Sequence, residues 1–188
     1  MITSGIQVKG SGFVHTLDYL KAKHGPAAVE AIFAAMSPEA AQTARTALFM
    51  TLCPVEHVGE FLDAIKWVLG PDDPEINYKI SLASAKQSFS RVYAIFFRLG
   101  KPGYIISKAA AVYEKMITQG RLVIVESQKD SVTLRLEGFA YKHPEWCNHR
   151  LRGWYQAPLE LSGCTIKEAV HHTCVLRGDS NCQWRYRW

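Results

Sequence analysis

The periodicity of the apolar residues changes once along this chain, and that change limits the fold more than any other feature. Up to about residue 118 they recur at helical spacing. Phe13, Leu17 and Leu20 lead to a stop at His24-Gly25, and Pro26 opens a second helix carrying Val29, Ile32 and Phe33. Ser37-Pro38-Glu39 caps a short helix. Cys53-Pro54 opens a longer one, with Val58, Phe61, Leu62, Ile65 and Leu69 on one face and Gly70-Pro71 at its end. Glu75 to Leu99 is predicted helical, with Val92, Ile95 and Phe96 on its apolar face, and Gly100 to Gly103 breaks it. Tyr104 to Thr118 is amphipathic, with Gly120 as its C-cap.

From Leu122 onward the spacing is that of strands. Leu122 to Val125 and the alternating Val132, Leu134 and Leu136 flank a turn at Gln128 to Asp130. Pro144 begins a helix through Trp146, Leu151, Trp154 and Tyr155, with a kink expected at Pro158 and an end at Gly163. A strand is expected from Thr165 to Leu176, then a turn at Gly178-Asp179-Ser180. A last strand carries Cys182, Trp184, Tyr186 and Trp188 on one face. Helices first and hairpins last indicate an α+β fold, with N-terminal helices packed on a small antiparallel sheet formed by two C-terminal β-hairpins. At 188 residues this is one domain, mainly helical over 1–100, with the site-bearing core over 101–188.

Composition excludes several classes. Apolar residues make up 48% and charged residues 21%, which is globular rather than disordered. No basic stretch followed by an apolar run marks a secretory signal, and no run reaches the length of a membrane span. A cytoplasmic protein is therefore expected. The net charge of +5 permits contact with nucleic acid without arguing for it, because the basic residues are scattered. Gly10-Ser11-Gly12 is too short for a nucleotide loop, and no Ser-His-Asp or paired-carboxylate arrangement can be placed. A catalytic role is thus not indicated.

Five cysteines, an odd count, argue against a disulfide framework, and four of them fall within the last 42 residues. Cys174 and Cys182 flank the turn of the last hairpin, so their thiols can meet across it. Cys147, Cys164, Glu168, His171 and His172 are the other candidate ligands nearby. Strand alternation puts Glu168, His172 and Cys174 on one face, with His171 on the other unless the strand bulges. The spacing is neither CxxC nor that of a zinc finger, and small buried thiols also pack as apolar residues. Both readings are open at this level.

The segment Cys174 to Trp188 resembles the signature end of the 4-vinyl reductase domain: a cysteine, a Gly-Asp turn, a second cysteine and an alternating aromatic strand. That domain shares a superfamily with the transport-protein-particle subunits and the haem nitric-oxide-binding proteins. The resemblance covers about residues 90–188, and the first 90 residues are similar to an uncharacterised myxobacterial paralogous family, which points to a bacterial source. It implies structural zinc on Cys147, Cys174 and Cys182, the first with one residue of offset relative to the Gly153 match. His171 stands where the family has its glutamate ligand. It further implies a non-enzymatic sensory domain with a pocket between helices and sheet for a small hydrophobic or aromatic ligand. Tyr93, Phe97, Tyr113, Trp146 and Trp154 are the candidates to line it. A homodimer and a downstream signalling partner belong to the same expectation. A scaffold subunit of transport-particle type and a tetrapyrrole-pathway protein are the alternatives; haem, with His15, His143 or His149 as axial ligand, is the lesser cofactor.

Overall fold

The computed structural model describes the backbone of residues 4–99 and 102–188, and side chains other than those of 90–103 and 109. A short ribbon of β1 (Gln7–Lys9) and β2 (Leu52–Pro54) brackets α1 (Ser11–Ala34) and α2 (Pro38–Thr46). Then follow α3 (Val55–Leu69), α4 (Ile76–Leu99) and α5 (Pro102–Met116). The C-terminal half contains β3 (Arg121–Ser127), β4 (Ser131–Glu137), a π-helical turn (Glu145–Arg150), α6 (Leu151–Leu161), β5 (Glu168–Thr173) and β6 (Cys182–Arg187).

The local rules account for the helix ends. Gly25 takes φ 84° inside α1, a left-handed conformation that breaks the helix before Pro26 restarts it. Ser37 Oγ accepts a hydrogen bond from the Ala40 amide at 3.3 Å, and Pro38 occupies the first turn of α2. In α3 the stripe Val58, Phe61, Leu62 and Ile65 is buried. No helix among the described residues is long and apolar enough to cross a membrane.

The four main strands form one antiparallel sheet in the order β3-β4-β6-β5. The inward residues of its central strands, Val132, Leu134 and Leu136 on β4 and Cys182, Trp184 and Tyr186 on β6, are all buried. Burying side chains of this size stabilises by about 1.5–3 kcal/mol each. The sheet carries the π-helical turn and α6 on this face. Trp184 Nε1–H donates to Cys147 O at 3.1 Å, Tyr186 O–H donates to Arg152 O at 2.8 Å, and the rings of Tyr155 and Trp184 meet edge-on at 5.2 Å.

The structure departs from the sequence reading in three places. The β1–β2 ribbon was not expected, because three-residue strands leave too short an alternation to read. The strand expected from Thr165 to Leu176 covers only Glu168–Thr173, and Val175–Arg177 is a 3₁₀ turn. There the Asp179 carboxylate accepts the Cys174 amide at 2.7 Å, and Gly178 turns left-handed at φ 89°, closing the backbone locally instead of on a neighbouring strand. The helix expected from Pro144 begins as a π-helical turn, which passes into α6 and ends at Leu161.

Glu145, at the start of the π-helical turn, is 4% exposed. It accepts from Lys66 Nζ at 2.6 Å and from Asn77 Nδ2 at 2.9 Å. Burial pushes its pKa up, but these two hydrogen bonds and the neighbouring His149 more than offset that and hold it below 4.5. A depressed carboxyl contributes stability above its unfolded pKa and loses it as pH falls through the folded value. The stability advantage of the wild type over Glu145→Gln should therefore be full above about pH 4.5 and shrink toward pH 3 in denaturant titrations. Where α6 crosses α4, a Cβ on Gly153 would stand 2.7 Å from Tyr78 O and 2.8 Å from Leu82 N. Both are backbone atoms, so Gly153→Ala should cost about 1–3 kcal/mol, measured as a lowered unfolding midpoint.

Candidate functional site

The thiol corner is built by the last hairpin and the π-helical turn. Cys182 is the first inward residue of β6, and the turn described above folds Cys174 back toward it. Their sulfurs are 3.8 Å apart. Cys147 arrives from the opposite side, fixed through its carbonyl by the Trp184 indole. All three cysteines are free and buried, and their sulfurs lie within 4.8 Å of one another.

His171 and Cys174 face the same corner because β5 bulges between them. His171 pairs with Trp184 in regular register and stacks on its ring at 4.8 Å with the planes 8° apart, and the register then slips between His171 and Thr173. Its Nδ1 is 2.8 Å from Asn148 Oδ1, and its Nε2 is buried with no hydrogen-bond partner. An amide oxygen only accepts, so Nδ1 carries the proton and Nε2 presents a lone pair. Metal-binding imidazoles are commonly oriented in this way.

His171 stands outside the tight group of three sulfurs but beside Cys182. The Cys182 thiol is pushed well below its ordinary pKa, mainly by a hydrogen bond from Cys147. The same contact, together with burial, pushes the Cys147 thiol up. Cys182 is thus the sulfur that gives up its proton first, and a thiolate is what a metal binds.

The other sequence candidates lie elsewhere. His172 is exposed, and Arg177 Nη2 holds the carbonyl oxygens of His171 and His172 at 3.1 and 2.9 Å. Glu168 sits near Arg185 and Arg187 at 3.4 and 3.8 Å. Cys164 packs at the end of α6, 3.7 Å from Ser162 Oγ.

A cavity of about 150 Å³ opens between α1, α4, α5 and the π-helical turn with α6. Tyr113, Trp146 and Trp154 are on its wall; the side chains of Tyr93 and Phe97 lie outside the described residues. The expectation of a pocket between helices and sheet is corrected, since no described lining residue comes from the four-stranded sheet. Leu134, Tyr155, Trp184 and Tyr186, each fully buried, fill the space there.

Haem does not fit this cavity. Its volume falls below the roughly 300 Å³ at which pockets begin to take drug-sized ligands. Residues 76–116, which include α4 and α5, contain no histidine or cysteine. His143 pairs with Asp63 at 3.1 Å, and His149 stands between Glu75 and Glu145 at 3.7 and 4.0 Å, so both belong to polar contacts away from the cavity. His15 alone of the three expected axial ligands lines the cavity, with its ring edge-on to Phe49.

Sequence reasoning missed Asn148, which orients His171, and Arg150, whose guanidinium lines the cavity. The sequence does hold a signal for the second. No acidic residue occurs between Glu75 and Glu114, so the helices around Arg150 offer it no counter-charge.

No protein-family model matches the sequence, and comparison with curated proteins finds no match. Solved structures do match. The unliganded Fe(II) H-NOX protein from K. algicida is 16% identical, with a TM-score of 0.66 and 95% of each chain covered. The Fe(II)NO H-NOX protein from S. oneidensis is 11% identical, with a TM-score of 0.71, covering 95% of this chain and 98% of that one. An oxygen-binding H-NOX domain related to soluble guanylate cyclases is 12% identical, with a TM-score of 0.65, covering 95% and 94%. The mixed α+β architecture of this chain is therefore that of the H-NOX domains, and the likeness, at such low identity, is one of fold.

Proposed function

We propose that this chain is a non-enzymatic small-ligand-binding domain of the sensory kind, with a structural zinc ion at its C-terminal corner. Cys147, Cys174 and Cys182 would be three ligands and His171 Nε2 the fourth. The observation that carries the zinc reading is the 3.8 Å between the sulfurs of Cys174 and Cys182. Ligands of a tetrahedral zinc with Zn–S near 2.3 Å stand about 3.8 Å apart. Three buried thiols of which one ionises early, beside an imidazole with an unused lone pair, are the donor chemistry such an ion selects.

The sensory reading is supported by the fold shared with gas-binding H-NOX domains and by the aromatic walls of the helical cavity. The neighbours are described with iron, haem and diatomic ligands. Here the small volume of the cavity favours an organic guest over haem. A ligand that prefers one packing of α1, α4 and α5 around the cavity would shift the population toward that packing, and this is the signal available to such a domain.

Elemental analysis of the purified protein should find one zinc per chain. Removing it with a strong chelator, or replacing Cys182→Ser, should lower the melting temperature by roughly 10 °C or more, because zinc binding energy is folding energy. Metal-free protein melting at the same temperature would sink the zinc reading. Asn148→Ala, which frees the His171 ring, should weaken zinc about 10- to 100-fold in chelator competition. His172→Ala should leave the affinity unchanged.

A further inference from the structure

We infer that the helical cavity takes a single-ring aromatic carboxylate, with its ring among the aromatic side chains and its anionic group on Arg150. This inference rests on the ligand-binding reading above and adds the chemical class of the ligand.

The argument begins with charge. Arg150 closes the π-helical turn, and its guanidinium lies over the Trp146 ring at 5.6 Å and against the backbone of Gly12, where an added Cβ would stand 2.6 Å from Nη2. No carboxylate pairs with it, and no hydrogen-bond acceptor meets its guanidinium, among the described residues. Burial alone pulls its pKa down to about 10, and at that value it is still a cation at neutral pH. Arg150 is half-buried, and contact with one indole ring only partly compensates a cation that has lost some of its water and has no counter-charge beside it.

The surroundings supply no anion. Among the described residues the cavity wall includes Lys9, His15 and Arg150 but neither Asp nor Glu. The chain carries no acidic residue at all from 76 to 113. An anionic guest would supply the negative charge that this wall lacks. Two further polar groups on lining residues, Ser11 Oγ and Trp146 Nε1, have no hydrogen-bond partner among the described residues. The first-turn amides of Gly12 and Phe13 at the start of α1, where the helix dipole favours negative charge, likewise meet no acceptor among the described residues. A planar carboxylate matches the fork of a guanidinium with two parallel hydrogen bonds.

Size and polarity define the rest of the ligand. A closed apolar cavity of about 150 Å³ accommodates benzene. The present cavity has that volume, with Tyr113, Trp146 and Trp154 around it. One aromatic ring with one carboxylate fills it; a long acyl chain or a fused ring system does not.

Benzoate is the probe, with benzyl alcohol and toluene as neutral controls of similar shape. Binding to the zinc-replete full chain is read by calorimetry and by quenching of tryptophan fluorescence, since Trp146 and Trp154 line the cavity. Benzoate should bind about 10- to 100-fold more tightly than benzyl alcohol, the advantage expected of a charge-assisted hydrogen-bonded pair. Arg150→Met should abolish that advantage, and Arg150→Lys should keep part of it. Equal affinity of benzoate and benzyl alcohol for the wild type would overturn the carboxylate inference but leave the ligand-binding reading intact. Failure of all three probes to bind at millimolar concentration would overturn both. The wild-type comparison decides the matter even where Arg150→Met does not fold.

Discussion

The docking of the last hairpin onto the π-helical turn is the contact on which the rest of this structure depends. One indole is at its centre: Trp184 donates to the carbonyl of Cys147, stacks on His171 and meets Tyr155 edge-on. These three contacts bring residues from β5, β6, α6 and the π-helical turn to one corner. Without them the sulfur of Cys147 has no reason to approach those of Cys174 and Cys182, and α6 has no platform from which to face α4. A π-helical turn carries one extra residue per turn, and such insertions recur at functional sites because they re-aim side chains.

That turn serves both sites at once. Trp146 and Arg150 line the helical cavity, whereas the adjacent Cys147 and Asn148 belong to the thiol corner. Six consecutive residues thus connect the place where a guest would sit with the place where a metal would sit. A metal that fixes Cys147 also fixes the direction from which Trp146 and Arg150 enter the cavity. Rigid support of this kind, rather than participation in chemistry, is the physical role a closed four-ligand site can play.

Much of the architecture was legible in the sequence. The alternation of Val132, Leu134 and Leu136, and of Cys182, Trp184 and Tyr186, marks strands with one buried face, and those are the buried faces of β4 and β6. The stops at Gly25 and Gly70 follow from glycine and proline chemistry acting over a few residues. What the sequence withheld depends on contacts between distant segments. A bulge against β6 puts His171 and Cys174 on one side of β5, where period-two counting places them on opposite faces. The cavity lies among helices because large rings fill the space against the sheet, a question of volume that no local pattern reveals. Arg150 reads as one of several basic residues in a charged run until its neighbours are known. The absence of acids from 76 to 113 was the one trace of its isolation visible beforehand.

The central claim is that three sulfurs and one imidazole of this chain form a single coordination shell. X-ray absorption at the zinc edge, on protein purified without added chelator, measures that shell directly. The account predicts three sulfur scatterers near 2.3 Å and one nitrogen at about 2.0–2.1 Å. A shell of oxygen and nitrogen alone, or no bound zinc, would contradict it.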